Sequence, residues 1–160
     1  MFRPMRRKKQ NLSREQAEAI LINGSHGVLA CLGDDDYPYA VPLNYTYHNQ
    51  TIYFHSARSG HKLDAIRKHP KVSFVVVDQD EIVPREFTSY FRSALVFGQA
   101  RLVEGPEQME ALHALVDKFS PGETPEAFDR EVSSGLPAIV AITVEHLSGK
   151  EAIELVRARV

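Results

Sequence analysis

A chain of 160 residues, 43% hydrophobic and 25% charged, is long enough for one domain with a core of its own, whereas two independent domains would each be small. The formal net charge of -2 excludes a general nucleic-acid binder, although residues 3–9 carry five Arg/Lys and read as part of a basic arm over residues 1–12. No apolar run approaches the ~20 residues of a membrane span, no secretory h-region is present, and Cys31 is the one cysteine, so neither an internal disulfide nor a Cys-based zinc site is available. These features point to a cytoplasmic protein with one buried structural thiol.

In chain order, Ser13-Arg14-Glu15-Gln16 has the capping-box form and predicts a helix over about 14–22, stopped by Asn23-Gly24. A strand follows at 27–32. Gly33-Asp34-Asp35-Asp36 makes a turn; three adjacent carboxylates point in different directions and lack the spaced pattern of a calcium loop. Residues 37–47 alternate, with Tyr39, Val41, Leu43, Tyr45 and Tyr47 on one face and Ala40, Pro42, Asn44 and Thr46 on the other. Pro42 in such a strand marks an edge or an opening in the sheet.

His48-Asn49-Gln50 turns the chain back into a strand at 51–55, which runs directly into a helix ending near His69, ahead of Pro70. Asp64 and Lys68 sit at i,i+4 on its exposed face. The join between strand and helix concentrates Ser56, Arg58, Ser59, Gly60, His61 and Lys62. With Ser59 as N-cap, the N–H groups of Gly60, His61 and Lys62 lack intrahelical acceptors and the positive end of the helix dipole faces outward, an arrangement suited to phosphate. Lys62 and Arg58 add charge and the serine hydroxyls add donors. The competing reading is an ordinary capped helix with solvated basic residues.

Residues 72–77 form a continuous apolar strand expected to be covered on both sides, and 78–89 a long polar loop around Pro84. A strand at 90–103 is bulged at Gly98. Pro106 opens a helix whose Met109, Leu112, Leu115, Val116 and Phe119 make a core stripe. Residues 121–137 hold turns and one short helix, 138–144 is the last strand, and the tail from 153 to 160 is either an edge strand or loose. About six strands, mostly in hairpins, with peripheral helices give a mainly-β or α+β antiparallel barrel forming one domain over 1–160.

The segments FRPMRRKKQ (2–10), GDDDYPYAVPLNY (33–45), IYFHSARSGHKLDAI (52–66), KVSFVVVDQD (71–80) and FRSALVFGQARLV (91–103) together resemble the nitroimidazole-resistance (Nim) proteins, a branch of the pyridoxamine 5′-phosphate oxidase-like flavoproteins. The resemblance implies a split β-barrel homodimer with FMN in a cleft at the subunit interface. It assigns the phosphate to His61 and Lys62, with Ser59 nearby; ring contacts to Val41, Pro42, Leu43 and Asn44; phosphate and ribityl contacts to Phe54 and His55; and a further ring contact to Ser93. The oxidases have glutamine in place of Ser93, a departure that speaks against pyridoxamine phosphate oxidation.

The implied activity is reduction of a 5-nitroimidazole or related small aromatic nitro compound, with FMN carrying the electrons. His55 is the preferred catalytic residue, as a proton donor at the end of the strand facing the cleft, with His61 as the other candidate and backbone or phosphate binding as the simpler role. No G-x-G-x-x-G fingerprint is present, so a nicotinamide or carrier-protein donor binds only transiently. Arg85, Glu86 and Arg92 are read as interface residues. The remaining histidines show no metal spacing. The alternative function is a split-barrel protein that binds flavin, haem or deazaflavin without nitroreductase activity.

Overall fold

The computed structural model describes residues 1–159. Helix α1 (Arg14–Asn23) begins at the expected capping box: the Gln16 N–H donates to Ser13 Oγ at 3.2 Å and the Ser13 N–H to Gln16 Oε1 at 2.9 Å. Strands β1 (His26–Leu32), β2 (Pro38–Asn44), β3 (Thr46–His48) and β4 (Thr51–Ser56) follow, then helix α2 (His61–Lys68). The second half comprises β5 (Lys71–Val83), β6 (Thr88–Val103), α3 (Gly105–Phe119), α4 (Pro125–Ser133), β7 (Ala138–Glu151) and α5 (Ile153–Arg157).

All pairings are antiparallel, in the order β2-β1-β5-β6-β7-β4-β3. Strands β2 and β3, at opposite ends of that order, are the two halves of one bent ribbon, so the chain closes the sheet into a barrel. Tyr45 is the bend. Its side chain is fully buried, its hydroxyl donates to the Leu21 carbonyl at 2.7 Å, and its ring packs edge-on to Phe74 at 4.9 Å. That inward turn divides the strand expected at 37–47 and raises the count from about six to seven. The fold is α+β, an antiparallel barrel with helices at its periphery, in keeping with a split barrel.

The barrel interior holds Leu29, Phe54, Phe74, Val76, Val96 and Ile142. On the outer face of β7, Ile139 and Ala141 pack with Tyr53 and Val103 against Ala111, Leu112 and Leu115 of α3. β7 is therefore apolar on both faces. Gly98 lies at the register shift between β6 and β7, where a Cβ would collide with the Thr143 carbonyl oxygen.

Several expectations give way to the structure. The loop expected at 78–89 is a two-stranded ribbon, β5 and β6 staying paired out to Val83 and Thr88 around a short 3-10 turn at Pro84–Glu86. Both faces of the ribbon meet solvent, so it lacks the apolar alternation that marks a half-buried strand. β5 buries Val72, Phe74 and Val76 and leaves Val77 exposed, so one face is covered, not two. Asp64 pairs with Arg67 at 3.2 Å, and Lys68 reaches Asp34 at 3.2 Å. Within the tail, Ile153–Arg157 form α5: the Ala152 N–H makes a last bond to the Phe91 carbonyl, and good helix formers follow, while Val160 lies outside the described residues. The basic arm is anchored, with a 3-10 turn at Lys8–Gln10, a bridge from Asn11 to Lys150, and Phe2 stacked on His146 at 4.8 Å.

Candidate functional site

The barrel is not paired all the way round. β3 pairs with β4 from His48↔Thr51 to Thr46↔Tyr53, and there the ladder stops. Continued by the same register, it would set Asn44 opposite His55. Instead β2 swings onto β1, pairing Asn44 with His26 and Pro42 with Val28. A seam opens between the free edges of β2 and the end of β4. Pro42 stands on the edge of that opening, where its missing N–H interrupts no ladder on the seam side. Tyr39, Val41 and Leu43 pack toward the core while Ala40, Pro42 and Asn44 are exposed, as the alternation predicts.

Helix α2 starts at the wide end of the seam. Its N-cap is Gly60, not Ser59: Gly60 has φ +132° and no capping side chain, and its carbonyl accepts from the Leu63 N–H at 3.0 Å and the Asp64 N–H at 3.1 Å. A side-chain-bearing residue rarely adopts that φ, so the glycine decides the boundary. A Cβ built on Gly60 would meet nothing within 4 Å, so the space beside that residue is open. The N–H groups of His61 and Lys62, at the first two helical positions, have no intrahelical acceptor and face the same way.

The two basic residues differ. Lys62 Nζ lies 5.6 Å from the Phe54 ring centroid and has no carboxylate partner among the described residues. His61 is turned to the β1–β2 connection, its ring 4.3 Å from that of Tyr39 and its Nε2 accepting from the Asp34 N–H at 3.4 Å. The Asp34 carboxylate stands 3.8 Å from that nitrogen and competes with any anion there. Arg58 is not a free fork for phosphate, because Nε and Nη2 both donate to the Leu136 carbonyl, at 3.0 and 2.9 Å. Ser59 is exposed and Ser56 is buried. The backbone cradle and Lys62 therefore fit a phosphate, with Ser59 beside them.

At the other end of the seam, Asn44 and His55 line one chamber of about 780 Å³ between the barrel, α3 and α4. His55 is exposed, although its neighbours Phe54 and Ser56 are buried, because alternation along β4 turns it outward. The α3 stripe read as core in the sequence also forms a wall of the chamber: the buried Leu112 and Leu115 and the more exposed Val116 and Phe119 all line it. Arg130, Phe128 and Val132 of α4 also line it; they lie some 75 residues from His55, and no local spacing in the sequence points to them.

Ser93 is not brought to the seam within one chain. It pairs with Lys150, while His55 pairs with Ile139, 11 residues away along β7, which is about 36 Å of extended strand. Arg92 is occupied locally, 3.5 Å from Asp78 and 3.5 Å from the fully buried Glu151, which also meets Arg159. Glu86 accepts from the Tyr90 hydroxyl at 2.8 Å. Of the other histidines, His48 contacts Glu110 at 3.0 Å and the exposed His113 stacks on Phe128 at 4.5 Å.

Burial shapes the titration of groups near the seam. Desolvation raises the Cys31 thiol, against the opposing charge of Lys62, and raises the Tyr45 phenol strongly. Lys118, whose Nζ donates to the Gly24 carbonyl at 2.6 Å over the Tyr45 ring, is lowered by burial. Among the described residues no three His, Cys, Asp or Glu side chains converge as a metal-ligand set, and no helix is long and apolar enough to cross a membrane.

A family model described as pyridoxamine 5′-phosphate oxidase matches residues 13–151, nearly the whole barrel. The chain belongs to the pyridoxamine 5′-phosphate oxidase family. Solved structures share the fold. A candidate 5-nitroimidazole antibiotic resistance protein of Bacteroides thetaiotaomicron superposes with a TM-score of 0.72 at 20% identity, over 88% of this chain and 86% of that one. An FAD-binding protein of Mesorhizobium loti gives 0.67 at 26% identity, over 89% and 97%. A flavocytochrome of Azotobacter vinelandii gives 0.75 at 21% identity, over 93% and 72%. One curated relative, an uncharacterised protein of Rhizobium meliloti, is 36% identical over 67 residues, a stretch covering 42% of this chain and 43% of that protein.

Proposed function

We propose that this member of the family is a flavoprotein that binds FMN along the seam and reduces small aromatic nitro compounds, 5-nitroimidazoles among them. The observation that carries the reading is the seam itself. One end offers a glycine-capped helix start with Lys62 beside the Phe54 ring, and the other an outward-facing histidine above an apolar chamber. The likeness to an FAD-binding protein supports a flavin as cofactor, and that to a candidate nitroimidazole resistance protein supports the substrate class.

FMN, when bound, would supply the electron transfer. The backbone N–H groups of His61 and Lys62 and the Lys62 ammonium would hold the phosphate, with the Ser59 hydroxyl as an added donor. The β2 edge at Val41, Pro42, Leu43 and Asn44 would lie along the ring, and Phe54 would back the site from inside the barrel. His55, exposed at the chamber mouth, would pass a proton from a ring nitrogen to the acceptor as electrons arrive. A second copy would complete the site: Ser93 is remote from the seam in its own chain, and the β5–β6 ribbon exposes Ile82 at 73% and Phe87 at 98%, surfaces suited to burial in a homodimer.

The test is anaerobic. FMN-loaded protein is reduced and mixed with 2-methyl-5-nitroimidazole; the flavin should reoxidise faster than in buffer, and more slowly in His55→Gln held saturated with FMN. Protein that takes up no FMN in a titration overturns the cofactor assignment, and reoxidation no faster than in buffer overturns the activity.

A further inference from the structure

We infer that the chamber between α3 and α4 is a binding site for a flat, uncharged, apolar ring compound of fused-ring size, larger than a single nitroimidazole. Its volume of about 780 Å³ lies in the range of small-molecule sites, roughly 300–1,000 Å³. Two walls are apolar: Leu112, Leu115 and Val116 from α3, and Ala127, Phe128 and Val132 from α4. Asn44 and His55 enter the chamber from the two seam strands, the Asn44 Nδ2 donating to the Ser25 carbonyl at 3.0 Å.

The charged residues of the lining, Glu123, Arg130 and Glu131, are exposed side chains at the rim. An ion placed among the apolar walls would lose its hydration without a buried partner, which disfavours charged ligands. Neither Lys62 nor His61 nor the β2 stretch from Val41 to Leu43 borders the chamber, so it is a space beyond the phosphate end of the seam. α4 buries no residue fully and meets α3 through Phe128 stacked on His113, leaving a wall that is seated but not packed solid. A ring held there reaches His55 with its polar edge and keeps its apolar body between the helices. Naming that compound an electron acceptor rests on the flavoprotein reading; its binding does not.

The probe is 1-nitronaphthalene, titrated by methyl NMR into the full-length protein with and without FMN. Shifts should concentrate on the methyls of Leu112, Leu115, Val116 and Val132, in both preparations. Ala127→Trp, which fills the chamber from α4, should weaken the probe about tenfold or more, as loss of a buried ring's contact area implies, with FMN affinity unchanged. Val132→Trp serves the same purpose if Ala127→Trp lowers thermal stability. Shifts elsewhere, or a folded filled variant that binds the probe like the wild type, overturn the inference. Failure of the flavin reading shows separately, as absence of FMN binding to the wild-type chain.

Discussion

The two sides of the barrel solve opposite problems. On the closed side, β1, β5, β6 and β7 pair side by side, with bulges at Val77–Gln79 and Phe97–Gly98, and bury Leu29, Phe74, Val96 and Ile142 with no exposure. On the open side, the β3–β4 ladder ends at Thr46↔Tyr53 and β2 leaves β4, exposing edge backbone, a histidine and a lysine without a carboxylate partner among the described residues. Pairing removes backbone polar groups from competition for ligands, whereas the seam leaves them available. Rigidity resides on one side and chemistry on the other, and substitutions should separate the two.

The largest effect belongs to the closed side. Phe74→Ala should cost about 3–5 kcal/mol of stability in chemical denaturation, the range for emptying a buried aromatic site. A loss as small as a surface substitution would mean that the barrel interior is not packed as described. Next comes the seam. Lys62→Ala should weaken FMN by roughly 1.5–3 kcal/mol, the scale of one charge-assisted hydrogen bond, while leaving the unfolding midpoint nearly unchanged. Unchanged flavin affinity would move the phosphate elsewhere.

Tyr45→Phe tests the hinge between the two regions. It leaves the Leu21 carbonyl without its buried donor and should cost about 1–2 kcal/mol. If the bend at Tyr45 also sets the seam, FMN affinity should fall with it, whereas unchanged affinity would show that the seam does not depend on the Leu21 hydrogen bond.

The smallest effect is electrostatic and lies on the outer face. The Arg101 guanidinium, at 2.9 and 2.7 Å, holds Glu107 below the usual carboxylate range; burial opposes the shift and the Tyr53 hydroxyl at 3.1 Å assists it. The folded value is the lower one, so the stabilisation is complete above the ordinary glutamate value of about 4.3 and disappears as pH falls through the folded value. With a third of the carboxylate exposed, the amount is a few tenths of a kcal/mol, about that of a screened surface pair. Glu107→Gln should flatten that part of the stability–pH curve, and an unchanged slope would show that the pair contributes nothing.

Much of the barrel is written locally. The capping box at Ser13 and Gln16, the stop at Pro70, the outward face of His55 and the bulge at Gly98 all follow from one residue and its near neighbours. The candidate site is only partly legible in this way. The sequence puts Asn44, His55 and Lys62 around the seam, but it assigns the N-cap to Ser59 where Gly60 takes it and frees Arg58 where Leu136 holds it. Each of those errors concerns a partner distant in sequence or a backbone angle that several residues could have supplied.

Hydrogen bonds between residues three or four apart, and side-chain alternation along a strand, are local, so the sequence alone determined most helices, most strands and the antiparallel α+β class. Where two strands stop pairing is decided by competition. β1 draws β2 away from β4 because Tyr45 turns inward to Leu21 and Phe74, and that contest is settled by contacts tens of residues apart. The seam, the chamber beneath α4 and the paired ribbon at 78–88 are products of that long-range packing, which only the tertiary structure decides.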